Sequence, residues 1–213
     1  MNNPVKQERA DNRRFLHDVE KWIGRKIEIA INDKYPNCDA EEVWIDRQYI
    51  SGPKGAPCTV ELKKEARYQF EIKNKIDWHV LGFTADEQVR FDRFVKGERA
   101  NTLPVLIDAG MTKQDCYDLL IAKGIEPPDA YKLGYPNANC EGCVKASSPE
   151  YWNHVRLISP DVFKDRAELS RKIGARLVRY NGKRIFLDEL PENAKGRPLK
   201  QMTLECGIFC DTE

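Results

Sequence analysis

Asn137-Ala138-Asn139-Cys140-Glu141-Gly142-Cys143-Val144-Lys145 places a Cys-x-x-Cys in a polar turn that carries a glycine. A second close pair, Cys206 and Cys210, lies in Glu205-Cys206-Gly207-Ile208-Phe209-Cys210. Thiols two or three residues apart can face one centre, because a turn brings both sulfurs to the same side. Two such knuckles supply four soft ligands, Cys140, Cys143, Cys206 and Cys210, enough for a tetrahedral zinc or an iron–sulfur cluster. This pattern divides the chain. Residues 134–213 read as a small α+β module centred on the cysteines, and residues 1–133 as a partial nucleotide-binding α/β domain that presents a substrate to it.

The totals narrow the class. A chain of 213 residues supports one good core, or one core with a small appendix. With 35 basic against 34 acidic residues the net charge is +1, so nothing global favours DNA, RNA or an anionic membrane. No apolar run approaches membrane-spanning length, and Met1-Asn2-Asn3-Pro4-Val5-Lys6 has none of the character of a signal peptide. The expectation is a cytoplasmic protein, in which seven cysteines serve as thiols, metal ligands or redox groups rather than structural disulfides.

Along the chain, Phe15, Leu16, Val19, Trp22 and Ile23 recur at helical spacing over residues 11–23, and Gly24 stops that helix. Residues 26–32 alternate as a strand does, with Ile27, Ile29 and Ile31 on one side and Ala30 on the other. Asp39 and Glu42 form a capping box for a helix carrying Val43, Trp44, Ile45 and Tyr49, with Cys38 in the turn before it. A breaker-rich loop, residues 51–57, then delivers Cys58-Thr59 to a helix over residues 60–73, with Thr59 as its N-cap. Free backbone N–H groups at a helix start, with Lys63 and Lys64 one turn in, make an anion seat; a capped surface helix with solvated lysines fits equally well.

Residues 78–83 read as a short apolar strand running into Thr84-Ala85-Asp86-Glu87-Gln88-Val89-Arg90. The carboxyl end of a strand is where open α/β sheets bind ligands. Thr112 and Asp115 box a helix that runs to Lys123 and stops at Gly124, with Cys116 packed along it as a small core residue. Ser148-Pro149 and Ser159-Pro160 each start a short helix, the second ending at Gly174. Asn181-Gly182 between two apolar runs marks a hairpin. Strands alternate with helices up to about residue 124, which argues for a mainly parallel sheet.

Several of these motifs fall in the order of one family. Cys58-Thr59-Val60-Glu61-Leu62-Lys63-Lys64, Gly82-Phe83-Thr84-Ala85-Asp86-Glu87-Gln88-Val89-Arg90, Leu103-Pro104-Val105-Leu106 with Met111-Thr112-Lys113, and Asn139-Cys140-Glu141-Gly142-Cys143 resemble the phosphoadenosine phosphosulfate reductase family, in its phage and bacterial adenine-nucleotide α-hydrolase-like branch. The resemblance runs from about Glu8 to Cys210, and the ordered set is far more specific than any one piece. It implies a doubly wound α/β domain that binds an adenine nucleotide or a nucleotide-activated sulfate. Cys58, Thr59 and Lys63 resemble the segment near the phosphate or sulfate, while Asp86, Glu87 and Arg90 resemble the polar strand end flanking the nucleotide. Glu205-Cys206-Gly207-Ile208 resembles the tail whose cysteine attacks sulfur in the true reductases, but Phe209 replaces the histidine and Cys210 follows. Cys206 is therefore either that nucleophile or a ligand of the metal centre. It cannot be both at once, because a thiolate held by a metal is neither free nor mobile.

One family feature has no counterpart here. The family opens with a strand, a Ser-Gly-Gly-x-x-Ser-type phosphate loop, a helix and a second strand, whereas Gly24 is the nearest glycine and ends a helix. The expectation is an incomplete doubly wound sheet, completed by a separately encoded N-terminal fragment or by association of copies. Two functions compete: sulfur transfer or reduction on an adenine nucleotide, and a non-catalytic, metal-stabilised nucleotide-binding or interaction module. Nucleic-acid binding through the cysteine knuckles and the basic residues after Lys145 is a weaker third. A Ser/His/Asp hydrolase has no support, since His17, His79 and His154 stand in no nucleophile motif.

Overall fold

The computed structural model describes residues 1–52, 55–97 and 101–199. Its helices are α1 (Asp11–Ile23), α2 (Ala40–Arg47), α3 (Pro57–Thr59), α4 (Ala66–Lys73), α5 (Gln88–Gly97), α6 (Val105–Asp108), α7 (Lys113–Ala122), α8 (Asp129–Lys132), α9 (Pro149–Ile158) and α10 (Pro160–Ile173). A π-helical stretch, Val60–Glu65, joins α3 to α4. The strands are β1 (His79–Val80) and β2 (Thr102–Leu103), which pair in parallel, and β3 (Val178–Tyr180) and β4 (Lys183–Ile185), which pair antiparallel. The class is mixed α/β, and the parallel sheet among the described residues is this one short pair.

By packing, the chain divides into two compact units. The first comprises Met1–Arg14, Ile27–Phe70 and the chain from Pro128 onward; the second comprises Phe15–Lys26 and Glu71–Pro127. The first unit holds the main core: Val5, Tyr35, Val43, Trp44, Ile50, Leu62, Tyr151, Trp152, Val155, Phe163, Leu177, Val178 and Leu187. Rings step through it edge to face, Tyr135 to Tyr151 to Trp152 to Phe163. Trp152 donates its indole N–H to the Ala146 carbonyl at 2.8 Å, whereas the buried indole nitrogen of Trp44 has no hydrogen-bond partner among the described residues. Arg166 is buried above the Trp44 ring and answers its charge with Glu41 at 2.5 Å.

Local signals explain most boundaries. Asp39 caps α2 by accepting from the Glu41 N–H. Thr112 and Asp115 form a reciprocal box on α7. Prolines open α9 and α10, and Gly174 closes α10 at φ 81°. Asn181 and Gly182 both take positive φ, 49° and 75°, as a two-residue hairpin turn demands.

Two local expectations are corrected. Residues 26–32 form no strand beyond an isolated bridge from Ile29 to Asn2, and their facing is inverted: Ala30 is 4% exposed and Asn32 2%, while Ile29 is 46% exposed. Hydrogen bonding decides this. The Ala30 N–H is tied to the Asn2 carbonyl at 2.9 Å, and the Asn32 amide must point inward to reach the Glu61 carbonyl at 3.0 Å and its carboxylate at 3.3 Å. Thr59 does not cap a helix either. The helical path starts earlier, at Pro57 with Ala56 before it, and Thr59 already has helical dihedrals and a buried side chain. Proline at the first position, with φ preset, outcompetes a threonine two residues later.

The second unit is built on β1, α5 and β2. Phe83 packs against Phe91 at 5.6 Å and Phe94 at 5.7 Å, and the Arg90 guanidinium lies 5.0 Å over the Phe83 ring. Phe83, Phe94 and Ile125 are its buried large apolar side chains among the described residues, a small core for its length.

Candidate metal centre and polar strand end

The Cys140–Cys143 turn is held from several sides within the first unit. Gly142 has φ 61°, a conformation that costs a side-chain-bearing residue, and an added Cβ there would stand 2.9 Å from Val162 and 3.3 Å from Arg166. The Cys143 N–H donates to the Tyr151 hydroxyl oxygen at 2.7 Å. Burial, and after it the neighbouring Cys143, pushes the Tyr151 phenol well above its ordinary value, so it stays protonated.

The N-terminal segment braces the other side. The Glu141 N–H donates to the Gln7 carbonyl at 3.0 Å, and Asn12 donates its amide to the Ala138 carbonyl at 3.1 Å. Arg9 forks between Asp129, at 2.9 Å, and Glu141, which also accepts from Ser159 at 2.8 Å. Asp11 accepts from the Asp129 N–H at 2.8 Å. Arg14 above all, aided by that N–H, holds the Asp11 carboxyl at about 2.

Cys143 is buried and Cys140 half-buried, and neither is in a disulfide. Cys58 packs against the same core, also outside any disulfide. As a donor set the two knuckle thiols suit zinc or iron–sulfur. Among the described residues no three His, Cys, Asp or Glu side chains converge as a metal site requires. Cys206 and Cys210 lie outside the described residues. Of the four expected ligands, the described residues therefore include Cys140 and Cys143 alone.

Beside Cys140, a small recess is lined by Arg9, Tyr135, Asn137, Asn139, Glu141 and Tyr151. The Tyr135 hydroxyl is buried in its wall without a hydrogen bond of good geometry. Burial first, then Glu141, pushes that phenol up to about 12. A broader, open groove runs along α9, between Glu150, His154 and Leu157 on one wall and Glu192, Lys195 and Leu199 on the other. Arg156 in it is committed to Asn153 and the Leu190 carbonyl, both at 2.7 Å.

The expected nucleotide residues fall in two different units. Thr59, Lys63 and Lys64 belong to the first, Asp86, Glu87 and Arg90 to the second. Thr59 is buried with its hydroxyl unpartnered. Lys63 lies 3.7 Å from Glu8. The π-helical stretch carrying both lysines also buries Glu61, whose carboxylate meets Arg47 and Asn32. Sequence periodicity gave no sign of this widened turn, which in helices often accompanies functional positions.

At the carboxyl end of β1, Thr84 opens a short 3-10 turn, Ala85–Glu87, through a capping box with Glu87. Glu87 then pairs with Arg90 at 2.5 Å, and the Ala85 N–H reaches the Met111 carbonyl at 2.7 Å. That last bond brings the start of α7 alongside. Lys113 thereby joins the cluster, a residue that spacing assigned merely to a helix start. Burial pushes its ammonium down against the pull of Glu87 and Asp86.

No helix among the described residues is long and apolar enough to cross a membrane. Compared with family models, with curated proteins and with solved structures, the chain matches none.

Proposed function

We propose that this chain handles sulfur on an adenine nucleotide, as the phosphoadenosine phosphosulfate reductase family does, beside a thiol-held metal centre of which Cys140 and Cys143 form one half. The braced turn carries this reading: two thiols flank a glycine in left-handed conformation, clamped by Arg9, Gln7 and Tyr151. Fixing ligand geometry in advance is what a metal site requires of its surroundings. Cys206 and Cys210 complete the ligand set for zinc or an iron–sulfur cluster; alternatively Cys206 is the nucleophile, and Cys58 stands at the segment that meets the phosphate or sulfate. In the first unit Thr59, Lys63 and Lys64 would meet a phosphate or sulfate; in the second, Asp86, Glu87 and Arg90, joined by Lys113, would meet polar groups of a nucleotide. On the same view, β1, α5 and β2 belong to an incomplete doubly wound sheet.

Anaerobic purification followed by metal analysis, visible absorption and equilibrium binding of adenine nucleotides tests this. Cysteine-bound zinc or cluster absorbance that Cys140→Ser and Cys143→Ser abolish, together with nucleotide binding, is the expected result. Metal-free protein that binds no nucleotide overturns it.

A second reading, a non-catalytic metal-stabilised module, draws on different contacts. Glu87 is used in a helix cap and in the Arg90 ion pair, and Lys63 faces Glu8, so these charges have partners inside the fold. One tightly held zinc with no nucleotide affinity would favour it.

A further inference from the structure

Arg179 and Arg184 are register partners across the β3–β4 hairpin. The Arg179 N–H points away from β4 and donates to the Ser147 carbonyl at 2.8 Å. The two arginines therefore form the non-hydrogen-bonded pair of the ribbon, the position where facing side chains come closest. Like charges directly opposite each other there are unfavourable. Both are exposed, on the face opposite the fully buried Val178, and Arg176 and Lys183 are exposed beside them.

The fold supplies little to offset this charge. Residues 169–187 hold six basic side chains and no aspartate or glutamate. Asp188 and Glu189, the next acids along the chain, are both held by Arg171, at 3.0 and 2.8 Å. Arg184 spends one N–H on the Leu177 carbonyl at 2.8 Å. Among the described residues no carboxylate pairs with Arg176, Arg179, Lys183 or Arg184.

We propose that this ribbon binds double-stranded DNA, with its arginines and Lys183 on backbone phosphates and its Asn181-Gly182 tip toward the major groove. That groove admits a two-stranded ribbon, and a guanidinium fork matches a pair of phosphate oxygens. A phosphate drawn between Arg179 and Arg184 turns their repulsion into a shared attraction. The net charge of +1 does not oppose this, because screening confines the relevant field to a Debye length of ~8 Å. Duplex RNA fits less well, since its major groove is too deep and narrow for side chains. Single strands stack their bases on open aromatic rings. Tyr180 and Phe186 are half-buried, and Phe186 is covered by Arg171 at 3.9 Å and Arg176 at 5.3 Å. A membrane contact calls for apolar residues to insert, and the tip is Asn-Gly.

Fluorescence anisotropy of a labelled DNA duplex of ~20 base pairs, two helical turns, titrated with the full chain at several salt concentrations, tests this. Four cations on phosphates give a slope of log affinity against log salt of about −3.6, a loss of about 150-fold between about 50 and 200 mM salt. Arg179→Gln with Arg184→Gln should make the slope shallower by about 1.8 and weaken binding at least about tenfold. Should that variant fold poorly, Lys183→Gln, exposed beside the turn, decides with a slope shallower by about 0.9. A wild type that leaves the duplex free at ~100 µM, the weak limit of non-specific binding, overturns the proposal. So do slopes unchanged in the variants, and equally tight binding of a single strand, polyglutamate or phosphatidylserine vesicles.

Discussion

Replacing Gly142 by alanine separates two costs that the structure assigns to different atoms. The first is conformational, because φ at Gly142 is 61° and an L-residue there loses ~1–2 kcal/mol. The second is steric. The new Cβ would lie 2.9 Å from Val162 Cγ1, 3.3 Å from Arg166 Cγ and 3.6 Å from Trp152 Cζ3. Arg166 is fixed by Glu41 and by the Trp44 ring, and Trp152 by the Ala146 carbonyl, so neither yields easily. Overpacking of this kind costs ~1–3 kcal/mol, giving a total of ~2–5 kcal/mol for Gly142→Ala. Gly182→Ala is the control. Its φ is 75° but no atom lies within 4 Å of the added Cβ, so it bears the conformational cost alone. Urea denaturation followed by tryptophan fluorescence measures both. At ~2–4 °C per kcal/mol for a chain of this size, thermal melts should rank them the same way. Equal losses in the two variants would refute the assigned packing around the cysteine turn.

Three further outcomes follow from the same contacts. Arg9→Ala should cost ~2–4 kcal/mol by leaving Asp129 and Glu141 without their shared cation, and mass-mapped maleimide labelling of Cys140 should quicken as the turn loosens; unchanged labelling would count against the brace. Asp11 contributes to stability above its ordinary value of 3.8, and that contribution is lost as pH falls toward its folded value of about 2, so Asp11→Asn should flatten the decline of the urea midpoint between those two values. Thr112→Ala removes the side-chain half of the α7 capping box, the bond from the Asp115 N–H, and should cost ~1 kcal/mol, read as faster amide exchange in the first turn of α7; protection equal to wild type there would contradict it.

Helix positions were legible because their signals are local. Residues 11–23 show an apolar stripe with a glycine stop, and α1 spans Asp11–Ile23. Thr112, Pro149, Pro160, Gly174 and the Asn181-Gly182 turn act through their own dihedrals or a hydrogen bond to a neighbour, so spacing alone places them. The Cys-x-x-Cys was visible for the same reason, as was the polar run after β1. What spacing could not carry was contact between distant segments. The facing of residues 26–32 was set by Asn32 reaching Glu61, against the pattern of isoleucines that made the opposite face look apolar. Thr59 lost its capping role to a proline two residues ahead. Lys113 entered the strand-end cluster through a backbone bond from Ala85 to Met111.

The order of residues therefore determined where helices begin and end, where the hairpin turns, and which thiols neighbour each other. The tertiary structure decided what surrounds them: that Gln7, Arg9 and Asn12 brace a turn more than 120 residues away. Local signals act through torsions and near neighbours, whereas burial and pairing depend on which chain segments meet, and no short window of sequence contains both partners.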